Sequence, residues 1–153
     1  MTEMRGKDKE LQHDEIIKIL QENHYGVLST ISDNGYPYGV PLTYIYHDGN
    51  IYFHCALSGH KVKNIESNSK VSFCVVGKTE LLQEHLSTNY ESVIAFGQIK
   101  EIEDSEKAAI LKNIVKTIAP KFFEKGNNHM MAANNRVRVF CMNIEEMTGK
   151  ARS

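Results

Sequence analysis

The run Phe53-His54-Cys55-Ala56-Leu57-Ser58-Gly59-His60-Lys61 gathers two imidazoles, a thiol, a hydroxyl, an ammonium and a glycine into one short stretch. Phe53 and His54 end an apolar, strand-forming run, and Val62 and Ile65 follow at helical i, i+3 spacing, so the polar residues fall between a strand end and a helix start. The first turn of a helix has N–H groups without intrahelical partners and a positive dipole end, which together attract anions. With His60 and Lys61 added, backbone and side-chain donors would converge on a phosphate. A second stretch, Tyr36-Pro37-Tyr38-Gly39-Val40-Pro41-Leu42-Thr43-Tyr44, reads as a strand containing two prolines and a glycine. Such a strand must be irregular or lie at a sheet edge, where open backbone groups could hydrogen-bond a flat heterocycle. Taken alone, each stretch also has an ordinary reading: a helix start facing water, and an edge strand that proline protects from aggregation.

Other catalytic arrangements are missing from the sequence. It shows no Ser-His-Asp order, no paired carboxylates at helical spacing and no metal-ligand cluster, so no metal is expected. His13, His24, His47, His85 and His129 are dispersed and read as surface or satisfied histidines. Cys55, Cys74 and Cys141 are odd in number, scattered and free of CxxC spacing, which argues against a disulfide framework or a zinc knuckle and for reduced thiols.

The elements that must position these residues follow from periodicity. A helix is expected from about His13 to Asn23, with Asp14 and Glu15 suiting its first turn. Three strands then form a meander: from Tyr25 to Ile31, from Tyr36 to His47, and from Ile51 to His54. They are separated by the turn sequences Asp33-Asn34-Gly35 and Asp48-Gly49-Asn50. A short helix ends near Asn68, and a strand covers Val71 to Val76. Lys78 to Asn89 has no period and reads as a loop. Tyr90 to Glu103 is a long strand with a bulge or bend at Gly97. Asp104 or Ser105 caps a helix reaching Ile118, stopped by Pro120; Gly126 to Asn135 reads as a polar, mobile loop; and Arg136 to Met147 closes the order as a strand. The fold class expected is mainly β, a six-stranded antiparallel split barrel of Greek-key type with about three flanking helices. One domain over residues 1–153 is expected, with 1–10 as an N-terminal arm.

Eighteen basic against nineteen acidic residues leave no surplus charge for a phosphate-backbone footprint, so nucleic-acid binding is not expected. Met1 to Glu10 carries no apolar core of a leader and no stretch has the length of a membrane span, so the sequence reads as cytoplasmic with no membrane partner.

Several pieces of the chain, taken in order, resemble one known group. These are Arg5-Gly6-Lys7-Asp8, Gly26-Val27-Leu28-Ser29-Thr30, Pro37-Tyr38 with Val40-Pro41-Leu42, Ile51 to His54 with Ala56 and Gly59-His60-Lys61, and Val93 to Gly97. Together they resemble the Nim-type branch, linked to 5-nitroimidazole resistance, of the pyridoxamine 5′-phosphate oxidase-like flavoproteins. The likeness runs from about Arg5 to Arg152. It implies a homodimer holding FMN between subunits. Ser58, Gly59, His60 and Lys61 would meet the FMN phosphate, with Lys61 as charge partner and His60 where relatives often carry arginine. Val40, Pro41, Leu42 and Thr43 would lie along the isoalloxazine ring, and His54, Cys55 and Ala56 would border the cleft. Cys55 departs from the small glycine or serine expected there, and Lys150 or Arg152 would reach the partner subunit's cofactor. The activity implied is reduction of small electron-poor aromatics such as nitroimidazoles, with His54 as the catalytic side chain. The competing class is a non-catalytic flavin- or heme-binding barrel with His54 or His60 as axial ligand, and a deazaflavin is a third option. The C-terminal arginine-histidine substrate motif of pyridoxamine phosphate oxidase is not seen, so vitamin B6 oxidation is not expected.

Overall fold

The computed structural model describes Met4, Gly6 and residues 9–152. Of the Arg5–Asp8 motif, only Gly6 lies among them.

Helix α1 (His13–Glu22) opens the fold with Ile16, Ile19 and Leu20 buried on one face. Strands β1 (Tyr25–Ile31) and β2 (Pro37–Thr43) form a hairpin around the Asp33-Asn34-Gly35 turn, where Ser32 N–H donates to the Tyr36 carbonyl at 2.9 Å and Gly35 takes a positive φ. β3 (Ile45–His47) and β4 (Asn50–Ala56) form a second hairpin, in which Asp48 and Gly49 both have positive φ. Helix α2 (His60–Ser67) leads to β5 (Lys70–Leu82), which turns directly into β6 (Ser87–Ile102). Helices α3 (Asp104–Ile118) and α4 (Phe123–Ala132) precede the last strand, β7 (Val137–Arg152).

The seven strands make one antiparallel sheet in the order β2-β1-β5-β6-β7-β4-β3. The sheet's two edges, β2 and β3, are consecutive in the chain and separated only by Tyr44. The expected strand from Tyr36 to His47 is therefore two strands. Its first half pairs with β1 and its second with β4, and the sheet curls so that both edges meet at this residue. Tyr44 is fully buried; its N–H donates to the His24 carbonyl at 2.9 Å and its hydroxyl to the Leu20 carbonyl at 2.7 Å. These bonds satisfy the polar groups of the residue that leaves both ladders.

Among the described residues, seven strands and four α-helices replace the six and three expected. The extra helix, α4, occupies much of the stretch read as a mobile loop. Gly126 lies so close to α3 that an added Cβ would stand 2.7 Å from Val115, and Lys107 Nζ donates to the Asn134 carbonyl at 2.6 Å. Packing on α3 thus makes a helix of a segment whose own pattern is weak. Likewise, Lys78 to Asn89 is not a loop. It extends β5 and β6 as a ribbon in register from Thr79↔Tyr90 to Leu82↔Ser87, with one 3₁₀ turn at Gln83–His85. The bulge expected at Gly97 is present: the β6–β7 register shifts between Phe96 and Gly97, and an added Cβ would lie 2.0 Å from the Asn143 carbonyl oxygen.

The main core fills the inside of the curl, where Leu28, Phe73, Val75, Val93, Ala95, Phe53 and Phe140 meet α1 and α2. A second core lies between the β3, β4 and β7 strands and α3, around Ile45, Tyr52, Val139, Leu111 and Ile114.

Candidate functional site

Helix α2 begins without a side-chain cap and with no acidic residue in its first turn. Its first intrahelical bond runs from Lys63 N–H to the Gly59 carbonyl at 3.0 Å, which leaves the N–H groups of His60, Lys61 and Val62 without helical partners. Gly59 has φ +143°, a region open to glycine and costly for any residue with a Cβ, and nothing lies within 4 Å of the place a Cβ would take. Backbone donors and open space therefore coincide, and an anion such as a phosphate fits this donor set.

Strand β2 meets this helix start. The Tyr38 ring stacks on the His60 ring with centroids 4.0 Å apart and planes tilted by 30°. Being the sheet's edge, β2 leaves one side of its backbone without a strand partner. Val40 and Leu42 turn toward the main core, while Gly39, Pro41 and Thr43 are exposed on the outer face. A cavity of about 370 Å³ lies beside the helix start, lined by Ser32, Asp33, Asn34, Gly59, His60, Lys63 and Asn64.

The other half of the candidate site is the end of β4. Cys55 faces the main core with Phe53, and alternation puts His54 on the opposite face, beside Val139 of β7. His54 Nδ1 is buried without a hydrogen-bond partner. Burial, and secondly the Lys61 ammonium, hold its imidazole below the usual range, so the ring is neutral at pH 7. Lys61 Nζ stands 5.9 Å from the Phe53 ring centroid. Burial pushes the Cys55 thiol up despite the opposing pull of Lys61 and Arg138, which keeps it protonated and poorly nucleophilic. Ala56 and Ser58 are exposed around the turn into α2.

Within the chain, the Tyr38 ring joins β2 to the start of α2, and Lys61 lies close enough to the end of β4 to act on His54 and Cys55. Tertiary structure does not bring Lys150 and Arg152 there within one chain. Both lie on the part of β7 that pairs with Ser92 and Tyr90 of β6, beyond the segment that pairs with β4. Lys150 Nζ sits 5.7 Å from the Tyr90 ring centroid. The C-terminal stretch is a paired strand there, and the Lys150 backbone also forms an isolated antiparallel β-bridge with Glu10.

Arg138 escaped the sequence reading. Its guanidinium grips Glu101 through two nitrogens, at 2.7 and 3.1 Å, and donates to Glu66 at 2.7 Å and to the Leu57 carbonyl at 3.3 Å. One side chain therefore ties the turn before α2, α2 itself and β6 together. The Glu101 carboxyl is held below its usual range, first by this hydrogen bond. Ser32 and Asn64 were also missed. A strand-end serine and an asparagine in a polar helix carry no distinguishing pattern until β1 and α2 are packed together.

Sequence comparison assigns the chain to the pyridoxamine 5′-phosphate oxidase family, whose model matches residues 12–151, and the chain belongs to that family. No curated protein matches it significantly. Among solved structures, a FAD-binding protein from Mesorhizobium loti is 25% identical, with a TM-score of 0.70 over 95% of this chain and 98% of that one. A Bacteroides thetaiotaomicron protein provisionally described as a 5-nitroimidazole antibiotic resistance protein is 21% identical, with a TM-score of 0.68 over 92% and 85%. The flavocytochrome Anf3 from Azotobacter vinelandii is 20% identical, with a TM-score of 0.81 over 99% and 72%. The last two likenesses concern the fold. Among the described residues, no helix is long and apolar enough to cross a membrane and no three His, Cys, Asp or Glu are grouped as a metal site.

Proposed function

We propose that the chain is an FMN-dependent oxidoreductase of small, electron-poor aromatic molecules, nitroimidazole-type compounds among them. The observation that carries this reading is the uncapped start of α2 at Gly59, set against the edge strand β2 in a member of this family. In this reading the flavin phosphate meets the N–H groups of α2, with Lys61 supplying charge and His60 a further donor. The flat ring lies along Val40 to Thr43, and His54, Cys55 and Ala56 border it. The bound flavin would supply the electron chemistry, and the protein binds it, orients substrate and sets the local field. His54, neutral and with a free ring nitrogen, is the side chain assigned to substrate contact.

The site is completed by a second copy in a homodimer. In its support, the outer face of β1, β5 and β6 leaves Val27 at 39%, Ile94 at 41% and Phe96 at 39% exposed in adjoining register, a larger apolar patch than isolated surface residues make. Lys150 and Arg152 lie on that same face by alternation, from which they would reach the partner's cofactor.

Absorption spectra after mixing with FMN, FAD or riboflavin and desalting test the reading. Flavin absorbing near about 450 nm, retained from FMN and lost from riboflavin, is the expected result; no retained flavin would overturn it. A heme Soret band would favour the binding-protein alternative, with His54 as the axial candidate, since His60 Nε2 is engaged by Ser32. His54→Ala with unchanged flavin content and unchanged nitroimidazole reduction would remove the assignment of His54.

A further inference from the structure

Beneath His60 runs a short chain of polar side chains. Asn64, one turn further along α2, is 2% exposed, and its Nδ2 donates to Thr30 Oγ1 at 3.0 Å and to Ser32 Oγ at 3.1 Å. Ser32 Oγ lies 3.0 Å from His60 Nε2. Both amide hydrogens of Asn64 are thus used on the hydroxyls of Thr30 in β1 and Ser32 just beyond it. Because Ser32 Oγ accepts from Asn64, its own hydrogen is free to go to His60 Nε2, its other side-chain partner among the described residues. A neutral imidazole whose Nε2 accepts carries its proton on Nδ1. Tyr38, stacked on the ring, limits its rotation.

We propose that Asn64, acting through Ser32, is a positioning residue that fixes His60 as the Nδ1–H tautomer, so that the neutral ring still offers a donor to a phosphate at the start of α2. The inference rests on the phosphate reading above for its purpose and, for the tautomer, on Asn64 filling one acceptor site of Ser32 Oγ while His60 Nε2 is the side-chain acceptor within reach of the Ser32 hydrogen among the described residues. It changes what histidine means at a position where arginine is the ordinary phosphate ligand. Lys61 follows His60 in α2, and Lys63 of α2 and Asp33 of the β1–β2 turn, paired at 3.7 Å, line the cavity beside it. Tyr38 from β2 is the other titratable neighbour. None of them hydrogen-bonds the ring among the described residues, which leaves Ser32 as its side-chain hydrogen-bond partner there.

Ring ¹⁵N chemical shifts of His60, assigned with His60→Gln and read at about pH 8.5, well above the ordinary imidazole value of about 6.5, test the proposal. The wild type is expected to show the Nδ1–H tautomer. Asn64→Asp replaces the donating amide by an accepting carboxylate of nearly the same shape. The carboxylate draws the Ser32 hydroxyl, His60 Nε2–H must then donate to Ser32, and the tautomer reverses. Ser32→Ala is expected to give a mixture and Ser32→Thr to retain Nδ1–H, so the test does not depend on one variant folding. FMN affinity should fall about tenfold in Asn64→Asp, the worth of one hydrogen bond to a charged group, with riboflavin affinity unchanged. An Nε2–H wild type, or a tautomer indifferent to Asn64→Asp and Ser32→Ala, would overturn the proposal. A tautomer switch without FMN binding by the wild type would sink the phosphate reading and leave the tautomer assignment standing.

Discussion

The two faces of strands β1, β5 and β6 have similar residue types and opposite fates. Leu28, Phe73, Val75, Val93 and Ala95 point into the curl and are fully or almost fully buried. Val27, Cys74, Ile94 and Phe96, alternating with them on the same strands, stand partly in water. The filled inner face leaves no room for a cofactor there, so the inside of the barrel is a scaffold. The proposed site accordingly lies where the sheet is uncovered, at the β2 edge and the start of α2. The difference shows that the alternating pattern of a barrel strand does not by itself say which face works, because an apolar outer face also looks like core.

The comparison can be broken most directly from the inside. Phe73→Ala should cost about 3–5 kcal/mol in urea unfolding, the cost of deleting a buried aromatic ring; a loss below about 1 kcal/mol would mean that the inner face is not the packed one. Arg138→Ala should lose about 1–3 kcal/mol, less than a buried pair because Glu66 is half exposed, and it should also loosen the turn before α2. Thermal melts with and without FMN read both effects, and a variant that lowers the melting temperature equally in both states would leave Arg138 no part in shaping the site. Gly59→Ala should cost about 1 kcal/mol from its positive φ and weaken FMN retention more than it weakens the fold.

On the outer face, Phe96→Glu should change little in the stability of the isolated chain. In the homodimer proposed above it should instead turn the dimer into a monomer in sedimentation, and an unchanged sedimentation coefficient would detach this face from assembly. The smallest effect concerns His54. Its folded pKa lies below the ordinary value of about 6.5, first through burial and then through Lys61, so the unfolded chain takes the proton first as pH falls. The stability from keeping the ring neutral is therefore present above that value and is lost on descent through the folded pKa. His54→Gln should show a shallower fall in urea midpoint between about pH 7 and pH 5 than the wild type, and equal slopes would show that His54 is solvated.

Much of this was legible in the chain. The helical spacing of Ile16, Ile19 and Leu20, the turn chemistry at Asp33-Asn34-Gly35 and Asp48-Gly49-Asn50, and the bulge at Gly97 each rest on local rules, and each appears where the sequence puts it. The Gly59-His60-Lys61 helix start was likewise visible, because strand end, glycine and helix period lie side by side. The ribbon from Lys78 to Asn89 was not, since its residues lack alternation and its strands are held by pairing with each other. Nor was α4, whose polar sequence becomes helical against α3.

The sequence by itself determined the antiparallel, mainly β class, the order of most elements and the segment best suited to hold a phosphate, because periodicity, turn residues and caps act over a few neighbours. Tertiary structure alone decided where the sheet edges meet, at Tyr44, and that Arg138 clamps a turn 81 residues away in sequence. It also decided that Ser32, just past β1, meets both His60 and the buried Asn64 of α2. Those outcomes depend on long-range pairing and on which polar atoms are left to satisfy one another once the core has closed, and no local pattern encodes them.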